Sequence, residues 1–102
     1  MTNDGASSAR ELVLRLLSGA LGPGIEVYVF GSRARGDACH ASDLDVLLRS
    51  TTPIGFAELA EASERLSESD LPFSVDLLDD ARISDAFRQR IDVDLVSWGR
   101  TD

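Results

Sequence analysis

Gly31-Ser32-Arg33-Ala34-Arg35-Gly36-Asp37-Ala38-Cys39-His40-Ala41-Ser42-Asp43-Leu44-Asp45 stands between two apolar runs, Ile25 to Phe30 before it and Val46-Leu47-Leu48 after it. The pattern reads as a strand, a glycine-bounded turn carrying a hydroxyl and two arginines, and a second strand with carboxylates at alternate positions. Successive side chains of a strand point to opposite faces, so Asp43 and Asp45 share one face while Leu44, Val46 and Leu48 share the other. Two positions along a strand are about 6.6 Å apart, close enough for their side chains to share one divalent cation or to bracket a pair about 3.5–4 Å apart. Hard oxygen ligands suit Mg²⁺ better than a soft metal. The turn supplies the complement: Gly31 permits close approach of a phosphate, Ser32 offers a hydroxyl, and the amides that follow can open a helix N-terminus that attracts anions.

Gly-Ser, a ten-residue gap from Arg33 to Ser42, and then Asp-x-Asp, flanked by two apolar strands, resembles the signature of the DNA polymerase beta-like nucleotidyltransferase superfamily. Its minimal nucleotidyltransferase (MNT) branch is the most similar. The resemblance implies a nucleotidyltransferase core in which Asp43 and Asp45 bind Mg²⁺ together with a third carboxylate from a neighbouring strand. Asp76 is the matching position. It interrupts an otherwise apolar run, Phe73 to Leu78, where an isolated charge is costly unless paired or metal-bound.

Composition is compatible with this reading. The 102 residues suggest a single domain over 1–102, with one core. The net charge of −8 disfavours nucleic-acid binding, which needs clustered Lys and Arg, and suits a basic protein partner. A lone cysteine, Cys39, excludes an internal disulfide and a cysteine zinc site. The first residues lack the basic and apolar regions of a signal peptide, and no apolar run has the length of a membrane span. A cytoplasmic location and no membrane partner are therefore expected.

In chain order, Ser8 and Glu11 form a capping-box pattern ahead of Leu12, Val13, Leu16, Leu17, Ala20 and Leu21 at helical spacing. Gly19, Gly22, Pro23 and Gly24 are expected to end that helix and lead into the strand Ile25–Phe30, in which Tyr28 is expected to pack. A second helix is expected from Ile54 or Phe56 to Ser67, burying Phe56, Leu59, Ala60, Ser63 and Leu66 and leaving Glu58, Glu61, Glu64 and Arg65 wet. Ser69 to Pro72 turns the chain into the Asp76 strand. Asp79 to Ser84 reads as a further turn, with Ser84 capping a helix through Ile91. Val93 to Trp98 reads as a short strand or tail, Trp98 packing on the core. The result is an α/β fold, a small mixed sheet with helices mainly on one face. The short link between the first two strands favours an antiparallel pair, and the long connection from Leu48 to Phe73 permits a parallel one.

The resemblance also implies a function. With Asp43, Asp45 and Asp76 as catalytic carboxylates and metal ligands, ATP is the substrate and AMP the transferred group. Asp76, outside the Asp-x-Asp pair, is placed as general base. Gly31, Ser32 and Arg33 are the expected nucleotide-binding residues, with Arg33 or Arg35 stabilising developing charge. Arg33 and Arg35 have a plainer alternative in pairing with acidic neighbours such as Asp37, itself a turn residue; His40 and Cys39 read as loop residues without a role. A stand-alone domain of this size resembles the antitoxin of HEPN/MNT toxin–antitoxin pairs, in which AMP is moved onto a tyrosine of the HEPN ribonuclease. The alternative is a binding module that neutralises its partner by steric occlusion, its metal site vestigial.

Overall fold

A computed structural model describes residues 5–31, 43–71 and 73–102. Helix α1 (Gly5–Leu21) leads into β1 (Glu26–Phe30), and β2 (Leu44–Arg49) follows the motif segment. Helix α2 (Phe56–Ser67) then crosses to β3 (Val75–Asp79), and a 3₁₀ turn (Asp80–Arg82), helix α3 (Asp85–Asp92) and β4 (Val96–Arg100) complete the chain. The sheet order is β3-β2-β1-β4. β1 is antiparallel to β2 and to β4, and β2 is parallel to β3. The mixed sheet, the antiparallel first pair and the helical crossover are those anticipated from the sequence.

Each face of the sheet has its own apolar layer. Val27 and Val29 of β1 and Leu44, Val46 and Leu48 of β2 pack with Val13 and Leu17 of α1 and Ala62 and Leu66 of α2. The opposite face carries a smaller cluster, Phe30, Leu47 and Ile91, with Phe87, Leu78 and Tyr28 against it. The Phe30 and Phe87 rings meet edge to face, centroids 6.2 Å apart. Among the described residues, two helices thus cover one face and α3 covers part of the other. No helix among the described residues is long and apolar enough to cross a membrane.

Local chemistry accounts for most boundaries. Gly22 closes α1 by donating its N–H to the Ser18 carbonyl at 3.0 Å with φ +85°, a left-handed cap favoured by glycine. Glu58 reaches back to accept from Gly55 N–H at 3.2 Å at the start of α2, and Ser84 Oγ accepts from Phe87 N–H at 3.1 Å at the start of α3. Tyr28 packs as expected: its hydroxyl donates to Glu26 at 2.9 Å and the Arg49 guanidinium lies 4.9 Å from its ring centroid. Trp98 packs against the larger core. The β4 strand is tied in at its end, where Thr101, itself buried, accepts from Ile25 N–H and donates to the Gly22 carbonyl.

Three sequence expectations are corrected. Helix α1 begins at Gly5, so Ser8 lies inside it and not at its N-cap; the small residues Ala6 to Ala9 include no breaker that would delay the start. The buried stripe of α2 is Leu59, Ala62 and Leu66; Phe56 is 72% exposed, and Ala60 and Ser63 face solvent. Its ring is covered instead by Arg82, whose guanidinium carbon lies 3.9 Å from the ring centroid. Asp79, read as a turn residue, ends β3 with only 3% exposure. Its carboxylate accepts from Ile54 N–H at 2.9 Å and Ala81 N–H at 3.0 Å and pairs with Arg82 at 3.2 Å.

Removing that carboxylate strands a buried amide. Asp79→Ala is expected to cost about 2–3 kcal/mol in urea unfolding, while Phe56→Ala costs less than about 1 kcal/mol because only an exposed cation–π contact is lost. Equal costs for the two would contradict this assignment of core and surface.

Candidate active site

The parallel register of β2 and β3 sets Leu44 against Val75, Asp45 against Asp76 and Val46 against Leu77. Directly paired residues put their side chains on the same face, with Cα atoms about 5 Å apart. Asp45 and Asp76 are therefore neighbours across two strands, on the face away from α1 and α2. Asp43, exposed, precedes β2 by one residue and belongs to the same face by alternation. The three candidate carboxylates gather at one end of the sheet.

Their electrostatics follow from that placement. The Asp45 carboxyl is held above its ordinary pKa of 3.8, first by burial, then by the charge of Asp76 and then by that of Asp43. Each cause favours its neutral form. Among the described residues no three such side chains stand together at metal-ligand spacing.

Gly31 closes the site from the end of β1. It adopts φ +87°, and a Cβ built there would lie 2.6 Å from Asp45 Oδ2. A larger residue would meet both a strained backbone and the carboxylate itself. The glycine expected to admit a phosphate is thus also what makes room for Asp45, a role that only the fold discloses. Ser32, Arg33, Arg35, Asp37, Cys39 and His40 lie outside the described residues.

The residues fit a hard divalent cation. The donors are carboxylates, the most buried of them is pushed toward its neutral form by burial and then by its acidic neighbours, and a bound cation would offset the push of those neighbours. Asp79 and Asp80, at the other end of β3, are engaged by Arg82 and by Arg88 and Arg49. Of the acids on β3 and the turn after it, Asp76 is the one left as the candidate third carboxylate.

Because the folded chain holds the Asp45 proton more tightly than the unfolded chain, ionising this group costs stability. The cost is absent below 3.8 and present in full once the pH exceeds the raised folded value. Without divalent cations, Asp45→Asn is expected to melt higher than the native chain at neutral pH, the gap narrowing as the pH falls toward that range. A variant that melts lower at neutral pH, with the gap widening on acidification, would contradict the repulsion described here.

Comparisons with known proteins agree with the geometry. Residues 25–96 match the family described as Polymerase beta, Nucleotidyltransferase. Over 79 residues, 78% of this chain and 69% of the relative, the sequence is 42% identical to a Haemophilus influenzae protein named "Probable protein adenylyltransferase MntA". A solved toxin–antitoxin structure with AMP-PNP superimposes with a TM-score of 0.75 at 23% identity, covering 87% of this chain and 71% of that one. The Shewanella oneidensis complex of a tri-AMPylated HEPN toxin with its MNT antitoxin gives 0.70 at 19% identity, over 90% and 70% of the two chains. These two likenesses concern the fold. A structure described as a minimal nucleotidyltransferase gives 0.70 at 29% identity, over 89% and 90%. The Gly31-to-Asp45 motif, the carboxylates paired across β2 and β3, and a family match running from β1 to the start of β4 lead to one statement: this chain belongs to the polymerase beta nucleotidyltransferase family.

Proposed function

We propose that this chain is a Mg²⁺-dependent protein adenylyltransferase that moves AMP from ATP onto a tyrosine of a partner HEPN toxin and so acts as its antitoxin. The observation that carries the reading is the pairing of Asp45 with Asp76 across β2 and β3, with Asp43 two residues before Asp45, in a member of a nucleotidyltransferase family. The acceptor is supported by the name of the Haemophilus relative and by the toxin–antitoxin complexes that share the fold. An ATP-consuming activity also accords with the cytoplasmic location expected from the sequence.

Asp43, Asp45 and Asp76 would hold the cation. When bound, it supplies neutralisation of the triphosphate and of the departing pyrophosphate. In the reaction, the tyrosine oxygen attacks the α-phosphorus; one P–O bond forms, the bond to the pyrophosphate oxygen breaks, and pyrophosphate leaves. Asp76 takes the hydroxyl proton as general base. Its exposure keeps it open to an incoming acceptor, and it lies outside the Asp-x-Asp pair. Gly31, Ser32 and Arg33 would serve the nucleotide, the first two as phosphate ligands and the arginine as a source of positive charge.

The test is incubation with ATP, Mg²⁺ and the HEPN protein of the neighbouring reading frame, reading the partner's mass. An AMP-sized increment is expected. It should fall by at least about 10³-fold in rate when Asp43→Ala and Asp45→Ala are combined, since both changes remove ligands from one centre. No increment, or one that survives the double substitution, would overturn the proposal. Neutralisation of the toxin by the double variant would point to steric occlusion instead.

A further inference from the structure

Strand β3 lies at one edge of the sheet, with β2 as its neighbour. Leu44 N–H donates to the Ser74 carbonyl at 2.8 Å. In a parallel ladder with that bond, the main-chain groups of Val75 and Leu77 point away from β2, toward the outer edge. The side chains alternate too: Ser74 and Asp76 are exposed, and Val75 and Leu77 pack into the helix-side core. Beside this edge, between the last turns of α2 and the start of β3, opens a groove of about 670 Å³. Leu66, Leu71, Phe73 and Val75 give it apolar walls, and the exposed Ser63 and Ser67 stand along it.

We propose that this edge and groove seat the acceptor: an extended segment of the partner protein that pairs with Val75 and Leu77 and presents its reacting hydroxyl to Asp76. The inference rests on the reading above that Asp76 belongs to the reacting centre. The occupant follows from position. A strand added at this edge would lie about 4.8 Å from β3, flanking Asp76 on one side as Asp45 flanks it on the other. Alternation then places the residue opposite Asp76 on the carboxylate face and its two neighbours on the groove face. The acceptor hydroxyl is therefore adjacent in sequence to an apolar residue that fills the groove. The outward N–H and C=O groups along the edge match an extended chain better than a nucleoside, the other molecule that could enter here.

The groove can be filled from outside the core. Ser63→Phe and Ser67→Phe change exposed positions of α2, so folding is preserved. With the HEPN protein as acceptor, each is expected to raise KM for that protein about tenfold or more while KM for ATP stays within about twofold. Independently, hydrogen exchange of the Val75 and Leu77 amides should slow when the HEPN protein is added without nucleotide. If the native chain transfers AMP but neither effect appears, or if KM for ATP rises instead, the docking inference is overturned, the second result assigning the groove to the nucleoside. If the native chain transfers no AMP yet both amides are protected, the docking stands and the adenylyltransferase reading falls.

Discussion

Two carboxylates set side by side on adjacent parallel strands are the constraint around which this molecule is arranged. The pairing of Asp45 with Asp76 is unfavourable in isolation, since like charges facing each other across strands destabilise a sheet. It is held by what lies behind it. Leu44, Val46 and Leu48 are fully or almost fully buried under α1 and α2, and a one-residue slip of β2 would turn that whole row to the other face. Register is therefore enforced by the helix-side core, and the acidic face is its consequence.

The two ends of β3 show how one residue type serves two purposes. At its far end Asp79 is buried, accepts from two amides and pairs with Arg82, anchoring the entry to α2 and the turn that follows β3. At its near end Asp76 is exposed and sits beside other acids. A buried carboxylate with cationic and amide partners is structural; one whose neighbours are acidic is a candidate for cation binding. Helix α3 covers Phe30 and Leu47 through Phe87 and Ile91 and supports the middle of the acidic face, with the carboxylates at its end.

Much of this was legible in the sequence because it depends on local period. Alternation assigned Asp43 and Asp45 to one face and Leu44, Val46 and Leu48 to the other, and the lengths of the two connections anticipated the strand directions. What escaped depends on contacts between distant segments. The stripe of α2 was misplaced because a large apolar residue at its first position suggested burial, whereas Arg82, twenty-six positions on in the chain, covers the Phe56 ring from outside. Asp79 looked like one of two turn acids. Its signal was faint: an acid closing an apolar strand, with an arginine three residues later. The room that Gly31 leaves for Asp45 could not be read at all, since it requires knowing that β1 ends opposite that carboxylate.

In the proposed function, Asp43, Asp45 and Asp76 act together on a divalent cation beside a triphosphate. Calorimetric titration of the native chain with Mg²⁺ in the presence of a non-hydrolysable ATP analogue tests it most directly. Saturable binding that is abolished by Asp76→Asn as thoroughly as by Asp45→Asn is the predicted result. Binding that needs Asp45 but is indifferent to Asp76 would show that the third strand contributes no ligand, and would contradict the account.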